Sequence, residues 1–188
     1  QYELFNAAIA EVADMLPSEL LLKYASTPIR LDDDPTSETG TDVSGKKVLL
    51  IRRLDSQGIS RECRAVAVHE FFRSKDTTSI YYATDFSPVY AYIPSGGSTR
   101  LKIFPTTTNT EIADVYVFSY PNYSEAADLA TNTITGLPDE VEQAVCLKAV
   151  INILQTYVSD FVQDEEDSEM LQMLTSQMQS LNTLFQSE

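Results

Sequence analysis

The chain has 188 residues, 43% hydrophobic and 22% charged, with 28 acids against 13 bases for a net charge of −15. That length supports one core or a compact domain with an appended element, and no apolar run approaches the roughly 18 residues of a membrane span. The acidic total disfavours tight sequence-specific DNA binding, which leans on basic phosphate contacts.

The opening "QYELFNAAIAEVADML" carries Leu4, Phe5, Ala8, Ile9, Val12, Met15 and Leu16 at three- and four-residue steps, which predicts an amphipathic helix. It lacks a charged segment followed by an apolar block, so no secretory signal is read there, and the Gln1 start allows for natural residues before it. Pro17 interrupts the helix, and Ser18 is placed to cap a short second one, "SELLLKYA". Residues 28–45, rich in Asp, Thr, Ser, Gly and Pro, read as a loop. The run Asp32, Asp33, Asp34 within it lacks the alternating ligands, central Gly and terminal Glu of a calcium loop, so it reads as solvated.

The period then changes. "KKVLLIRRL", "ECRAVAV", "SIYYATD", "VYAYIP", "TRLKIFP" and "IADVYVFSYP" read as strands, with "SGG" at 95–97 as a hairpin turn. Five or six short strands with no long helix between them predict an antiparallel sheet or small sandwich. From Pro138 the chain turns helical again, with Asp139, Glu140 and Glu142 at the positive end of the helix dipole. Two apolar stripes follow, one through Val141, Ala144, Val145, Ile151, Leu154, Val158 and Phe161, the other through Leu147, Val150, Ile153 and Tyr157. This helix is expected to be buried over more than half its circumference. After the acidic turn "QDEEDSE", Met170, Leu171, Leu174, Met178, Leu181, Leu184 and Phe185 mark a last amphipathic helix that closes a hairpin.

The expected fold class is therefore α+β, a helical bundle with an inserted small antiparallel β-sheet or sandwich. Residues 1–27 supply the amino-terminal helical segment, 45–121 the β region and 137–188 the carboxy-terminal helical hairpin, one compact domain in all. Charge follows the same division: residues 1–44 hold nine acids and two bases, 45–121 seven and ten, and 122–188 twelve acids with Lys148 alone. A basic middle and acidic ends serve solubility, or let one copy face another.

Conventional chemistry is hard to find. Cys63 and Cys146 are far apart without a CxxC spacing, and His69 is the one histidine, so neither a zinc site nor a disulfide framework is expected; both thiols read as buried or half-buried. His69 has no nucleophile set in a recognisable turn, and "SGGS" is too short for a phosphate loop. No catalytic residue, cofactor or metal is assigned. Seven tyrosines, Tyr81, Tyr82, Tyr90, Tyr92, Tyr116, Tyr120 and Tyr123, suit either sheet-face burial or an interface.

The succession "SIYYAT", "PVYAYI", "LKIFP", "VYVFSYP", followed by the leucine-proline opening "GLPDEVEQAV" and an amphipathic helical pair, resembles tailed-bacteriophage head-to-tail adaptor (neck or connector) proteins over residues 45–188. The resemblance implies a virion protein without catalysis, made in the host cytoplasm. It would form a ring of about twelve identical copies at the head-tail junction. The portal protein and a tail or other neck protein are its implied partners, and DNA passes through its channel without sequence-specific binding; an acidic lumen would repel phosphates. Leu181, Leu184 and Phe185 of the terminal segment "LTSQMQSLNTLFQSE", with Tyr90, Tyr92, Arg52 and Arg53, are the candidate portal or neighbour interface. The polar loop 28–45 has no counterpart in that pattern. Alternatives are a tail-completion or other neck component, a soluble binding module outside any virus, and an enzyme built on carboxylates.

Overall fold

The computed structural model describes residues 2–31, 40–108, 110–123, 136–164 and 168–187. The chain divides into two compact units, one formed by 1–17 with 120–188, the other by 18–119.

The second unit begins with a four-residue helix α2 (Ser18–Leu21) and a 3-10 turn (Leu22–Tyr24), then builds two sheets. The strands are β1 (Ile29–Leu31), β2 (Thr41–Asp42), β3 (Lys46–Leu54), β4 (Ser60–Glu62), β5 (Arg64–Ala65), β6 (Val89–Ser95), β7 (Ser98–Phe104) and β8 (Ala113–Ser119), with helix α3 (Val68–Arg73) after β5. One sheet runs β1-β8-β3-β4, the other β2-β7-β6-β5.

In β3, a register shift between Val48 and Leu50 is what aims the strand. It sets Val48, Ile51 and Arg53 opposite Val117, Val115 and Ala113 of β8, so residues three apart in sequence share the inward face. Val48, Ile51, Val115 and Val117 then meet Leu101 and Ile103 from β7 in a core enclosed by the two sheets. A second cluster covers the other side of β6: Phe71 from α3 packs with Ala83, Val89 and Ala91. The β6–β7 hairpin turns on Gly96 and Gly97, whose φ angles of +58° and +85° both lie in the left-handed region that a two-residue I′ turn demands. At Gly40 a Cβ would stand 2.7 Å from the Leu101 carbonyl oxygen, so the backbone of β2's approach leaves no room for a side chain.

The β3–β4 hairpin is built around Asp55. Its Oδ1 accepts the Gln57 and Ile59 N–H groups at 2.9 and 2.8 Å, and its Oδ2 accepts Arg61 Nε at 3.1 Å.

The first unit holds α1 (Tyr2–Met15), α4 (Glu142–Asp164) and α5 (Ser168–Ser187), with a 3-10 turn at Asp139–Val141 leading into α4. α1 packs on α4, and α4 on α5. Lys148, the single base of this unit, reaches Glu11 on α1 at 2.7 Å and lies 5.9 Å from the Phe185 ring centroid on α5, so one cation joins all three helices. The segment leaving β8 is tied to α1. Tyr120 donates to Asp14 at 2.6 Å, Asn6 Nδ2 donates to Asn122 Oδ1 at 2.7 Å, and the Phe5 and Tyr123 rings meet edge-on at 5.6 Å. Burial and the Asp14 carboxylate together push the Tyr120 phenol up to about 12.

Four expectations are corrected. The chain is not a helical bundle carrying one small sheet; it is a mixed α+β fold with two four-stranded sheets, because β1 and β2, within what reads as loop, each add an edge strand. Strands of three and two residues leave no alternation to read. The sheets are not wholly antiparallel, since β5 pairs parallel with β6 across a crossover made of α3 and the turns after it. "SIYYATD" is no strand: Thr78 N–H donates to Asp76 Oδ1 and Tyr81 N–H to Ser79 Oγ, and these side-chain turns capture the backbone. "ECRAVAV" breaks at Cys63 into β4 and β5 and enters α3. The Asp32–Asp34 run and residues 165–167 of the acidic turn "QDEEDSE" lie outside the described residues.

Burial alone would raise the Asp55 carboxyl, but the Ile59 N–H, Arg61 and the Gln57 N–H outweigh it and hold the group below its ordinary 3.8. A carboxyl depressed by folding contributes stability that is fully present above its unfolded value and lost as pH falls through the folded one. Urea midpoints should therefore drop as pH falls below 3.8, and Asp55→Asn should be less stable at neutral pH while losing part of that acid dependence. An unchanged pH profile in the variant would remove Asp55 from this role.

Candidate functional site

Arg52 and Arg53 are neighbours in sequence with opposite fates. Arg53 faces inward and is 1% exposed. Its Nη1 donates to Asp85 Oδ1 at 3.2 Å and to the Leu54 carbonyl at 3.3 Å; its Nη2 donates to Glu111 Oε2 at 2.6 Å and to the Thr106 carbonyl at 3.1 Å. Nε alone has no partner. A guanidinium so enclosed is a structural tie and offers no surface to a portal or a neighbouring copy. Cys63 sits close by, and burial pushes its thiol up to about 12 although Arg53 pulls it down.

Arg52 is exposed on the outer face of its sheet. Register places Asp114 on one side of it and Glu62 on the other, with Arg30 beyond Asp114, so charges alternate across all four strands. Opposed cross-strand charges of this kind contribute roughly 0.2–1 kcal/mol each. Arg52 therefore belongs to a balanced row.

Tyr90 and Tyr92 lie two residues apart on one face of β6, opposite Ile103 and Leu101 of β7, with ring centroids 5.7 Å apart and edge-on. Tyr90 is half-buried against the inter-sheet core, while Tyr92 is partly open to water at its margin. Burial raises both phenols, Tyr92 to about 12. On α5, Leu181 and Phe185 are half-buried and Leu184 is 53% exposed, so the terminal candidates divide between the helical core and the surface. These three belong to the first unit, and Tyr90, Tyr92, Arg52 and Arg53 to the second.

Two larger apolar surfaces are present. The first follows α4: Cys146, Val150, Ile153 and Tyr157 recur at helical spacing and are all exposed, whereas Val145, Ala149 and Ile151 are buried. Much of the second apolar stripe thus stays open, and Cys146 is not the buried thiol expected of it. The second surface is segment 68–87, where Val68, Phe72, Ile80, Tyr81, Tyr82 and Phe86 are all exposed, Ile80 at 93%. Within it, "SIYYATD" at 79–85 reads in sequence as a strand whose aromatics would lie on a sheet. Its rigidity comes from Ala83 N–H donating to the Ser74 carbonyl, from the Ser74 hydroxyl donating to Phe71 O, and from the Arg53–Asp85 pair. Bases accompany it: Arg61 stands 5.5 Å over the Phe86 ring, and Arg73 and Lys75 are exposed.

His69 is exposed in the first turn of α3. Among the described residues, no three His, Cys, Asp or Glu side chains gather as metal ligands would, and no helix is long and apolar enough to cross a membrane. Compared with models of known protein families the chain matches none, and no characterised protein sequence matches it significantly.

Breaking a buried ion pair by removing one partner costs about 3–5 kcal/mol. Asp85 and Glu111 keep 33% and 22% of their side-chain surface in water, which softens the loss of their counter-charge. Arg53→Met should accordingly destabilise the chain by about 3 kcal/mol in urea unfolding, and Arg53→Lys should recover only part of this, one ammonium being unable to span four acceptors. A loss under about 1 kcal/mol for Arg53→Met would refute the structural role. Thiol titration under native conditions should label Cys146 quickly and Cys63 only on unfolding; equal rates would contradict the burial of Cys63.

Proposed function

We propose that this chain is a non-catalytic structural protein of a tailed-phage neck, assembling as a ring between portal and tail at the head-tail junction. The family reading rests on the strand succession ending in "VYVFSYP" and on the "GLPDEVEQAV" helix opening. The observation that carries an assembly role is the apolar face of α4, exposed although the helix lies in the centre of its own unit. Exposed apolar faces of this kind mark interaction surfaces.

Charge supports the accompanying view of the channel. The unit of 1–17 and 120–188 holds fifteen acids and Lys148, net −14, against −1 for 18–119. An acidic unit turned toward the lumen would let DNA pass without sticking. A lumen lined instead by Arg64, Arg73 and Lys75 would sink that part of the proposal.

Light scattering of the chain alone and with a candidate portal ring tests the function. The expected outcome is a complex carrying about twelve copies per portal; a monomer indifferent to the portal refutes it, and six copies would favour a tail-completion component. Deleting residues 176–188 should abolish portal binding while far-UV helicity falls only by the residues removed. Wholesale loss of helicity would instead give Leu181 and Phe185 a purely structural part.

A further inference from the structure

β1 and β4 are the two edges of their sheet, and the hydrogen-bond pattern inside it decides which of their peptide groups stay open. Cys63 N–H donates to the Ile51 carbonyl and Asp55 N–H to the Ile59 carbonyl, so the bonded pairs of β3 with β4 are 51 with 63, 53 with 61 and 55 with 59. Ser60 and Glu62 therefore turn their N–H and C=O groups away from β3. On the other side, Leu54 N–H donates to the Ile112 carbonyl, which makes Arg52 and Asp114 a bonded pair of β3 with β8. Ala113 and Val115 then bond Leu31 and Ile29 of β1, and Arg30 keeps its peptide groups on the open edge. Among the described residues, no strand pairs with either edge.

The same residues carry the charge. Arg30, Asp114, Arg52 and Glu62 alternate across the sheet, so the row begins with a base on one edge and ends with an acid on the other. Strand direction alternates with it, each of β1, β8, β3 and β4 being antiparallel to the next. A β1 edge laid antiparallel on β4 can set Arg30 opposite Glu62 as a bonded pair, with both side chains on the outer face. Directions and charges of the row both continue into the added copy. The other bonded register, Ser60 opposite Arg30, would put Glu62 against Pro28, which has no N–H to give.

Like edges fit worse. Two β1 edges in full overlap bring Arg30 against Arg30, and two β4 edges bring Arg61 against Arg61; like charges directly opposite are destabilising. We propose that copies of this chain join sheet to sheet, the β4 edge of one copy taking the β1 edge of the next as an added strand, with Glu62 opposite Arg30. The proposal rests on the ring reading for the expectation that copies meet, and adds which edges do so. Because the two edges differ, the contact is heterologous, repeats from copy to copy, and closes a ring when its rotation allows.

Sedimentation velocity over a concentration series, with two charge reversals, tests the contact. Glu62→Lys sets two bases against each other across it, and Arg30→Glu sets two acids. Both positions are exposed, and circular dichroism matching wild type shows that each variant is folded. Wild type should self-associate, and each variant alone should do so about tenfold more weakly, since an opposed pair becomes a like one. An equimolar mixture should regain wild-type association, because every contact between unlike copies again sets a base against an acid. Amide exchange gives a second readout on the wild type itself: the Glu62 and Arg30 N–H groups, open in the isolated chain, should slow as copies associate.

Wild type that stays monomeric up to its solubility limit overturns the proposal. So do variants that associate as wild type does, a mixture no stronger than either variant alone, or association that leaves both amides exchanging as before. Portal binding measured on the same wild-type sample decides the neck reading separately: a chain that binds the portal yet never self-associates keeps that function and loses this contact, and one that joins at these edges while ignoring the portal does the reverse.

Discussion

A guanidinium withdrawn from water must have its donors met by the protein, and Arg53 holds the second unit together because its acceptors come from distant parts of the chain. Asp85 belongs to the turns that precede β6, and Thr106 and Glu111 to the connection from β7 to β8. Both connections are irregular, and neither has a ladder of its own to fix it. Joined to β3 through one planar cation, they become rigid, and so does the segment carrying Ile80 and Phe86. The exposed aromatic face is therefore a held surface, whose ordering cost is met on folding and not again on binding.

Charge is partitioned as sharply as secondary structure. The sandwich balances its ions locally, in the row Arg30, Asp114, Arg52, Glu62 on the outer face and in the Arg53 and Asp55 centres within. The helical unit does the opposite: its sequence sets fifteen acids against one lysine, and that lysine joins α1, α4 and α5. Repulsion among its surface carboxylates works against compactness, so cohesion there falls on apolar contacts such as those of Ile9, Val12, Val145 and Ile151, all buried.

What sequence could show was what local pattern controls. β3 coincides with "KKVLLIRRL", the 96–97 turn with its two glycines, and α1 with the three- and four-residue apolar steps. What it could not show depends on partners far along the chain. Asp85 is 32 residues from Arg53 and Glu111 is 58, and nothing near Arg53 says which carboxylates it will meet. Arg52 and Arg53 look alike in sequence until the register shift between Val48 and Leu50 settles which of them faces inward. β1 and β2 draw their stability from β8 and β7, so their own residues carry little signal. The turns at 76–83 misled because Tyr81 and Tyr82 have strand propensity while Asp76 and Ser79 capture the backbone.

The α4 stripe is where local and global rules part. Its apolar residues cover more of the helix than α1 and α5 can bury, and in an isolated chain the surplus costs solubility without adding stability. A chain that must remain dispersed until it meets its neighbours can tolerate this if the surplus lies in a strongly acidic setting, since copies approaching acidic face to acidic face repel each other. With a Debye length of about 8 Å in physiological salt, that repulsion acts only over the last few water layers, at the distance where orientation is decided. The exposed stripe and the uneven charge then act in opposite senses, the first supplying apolar surface for contact and the second opposing contact between two acidic units.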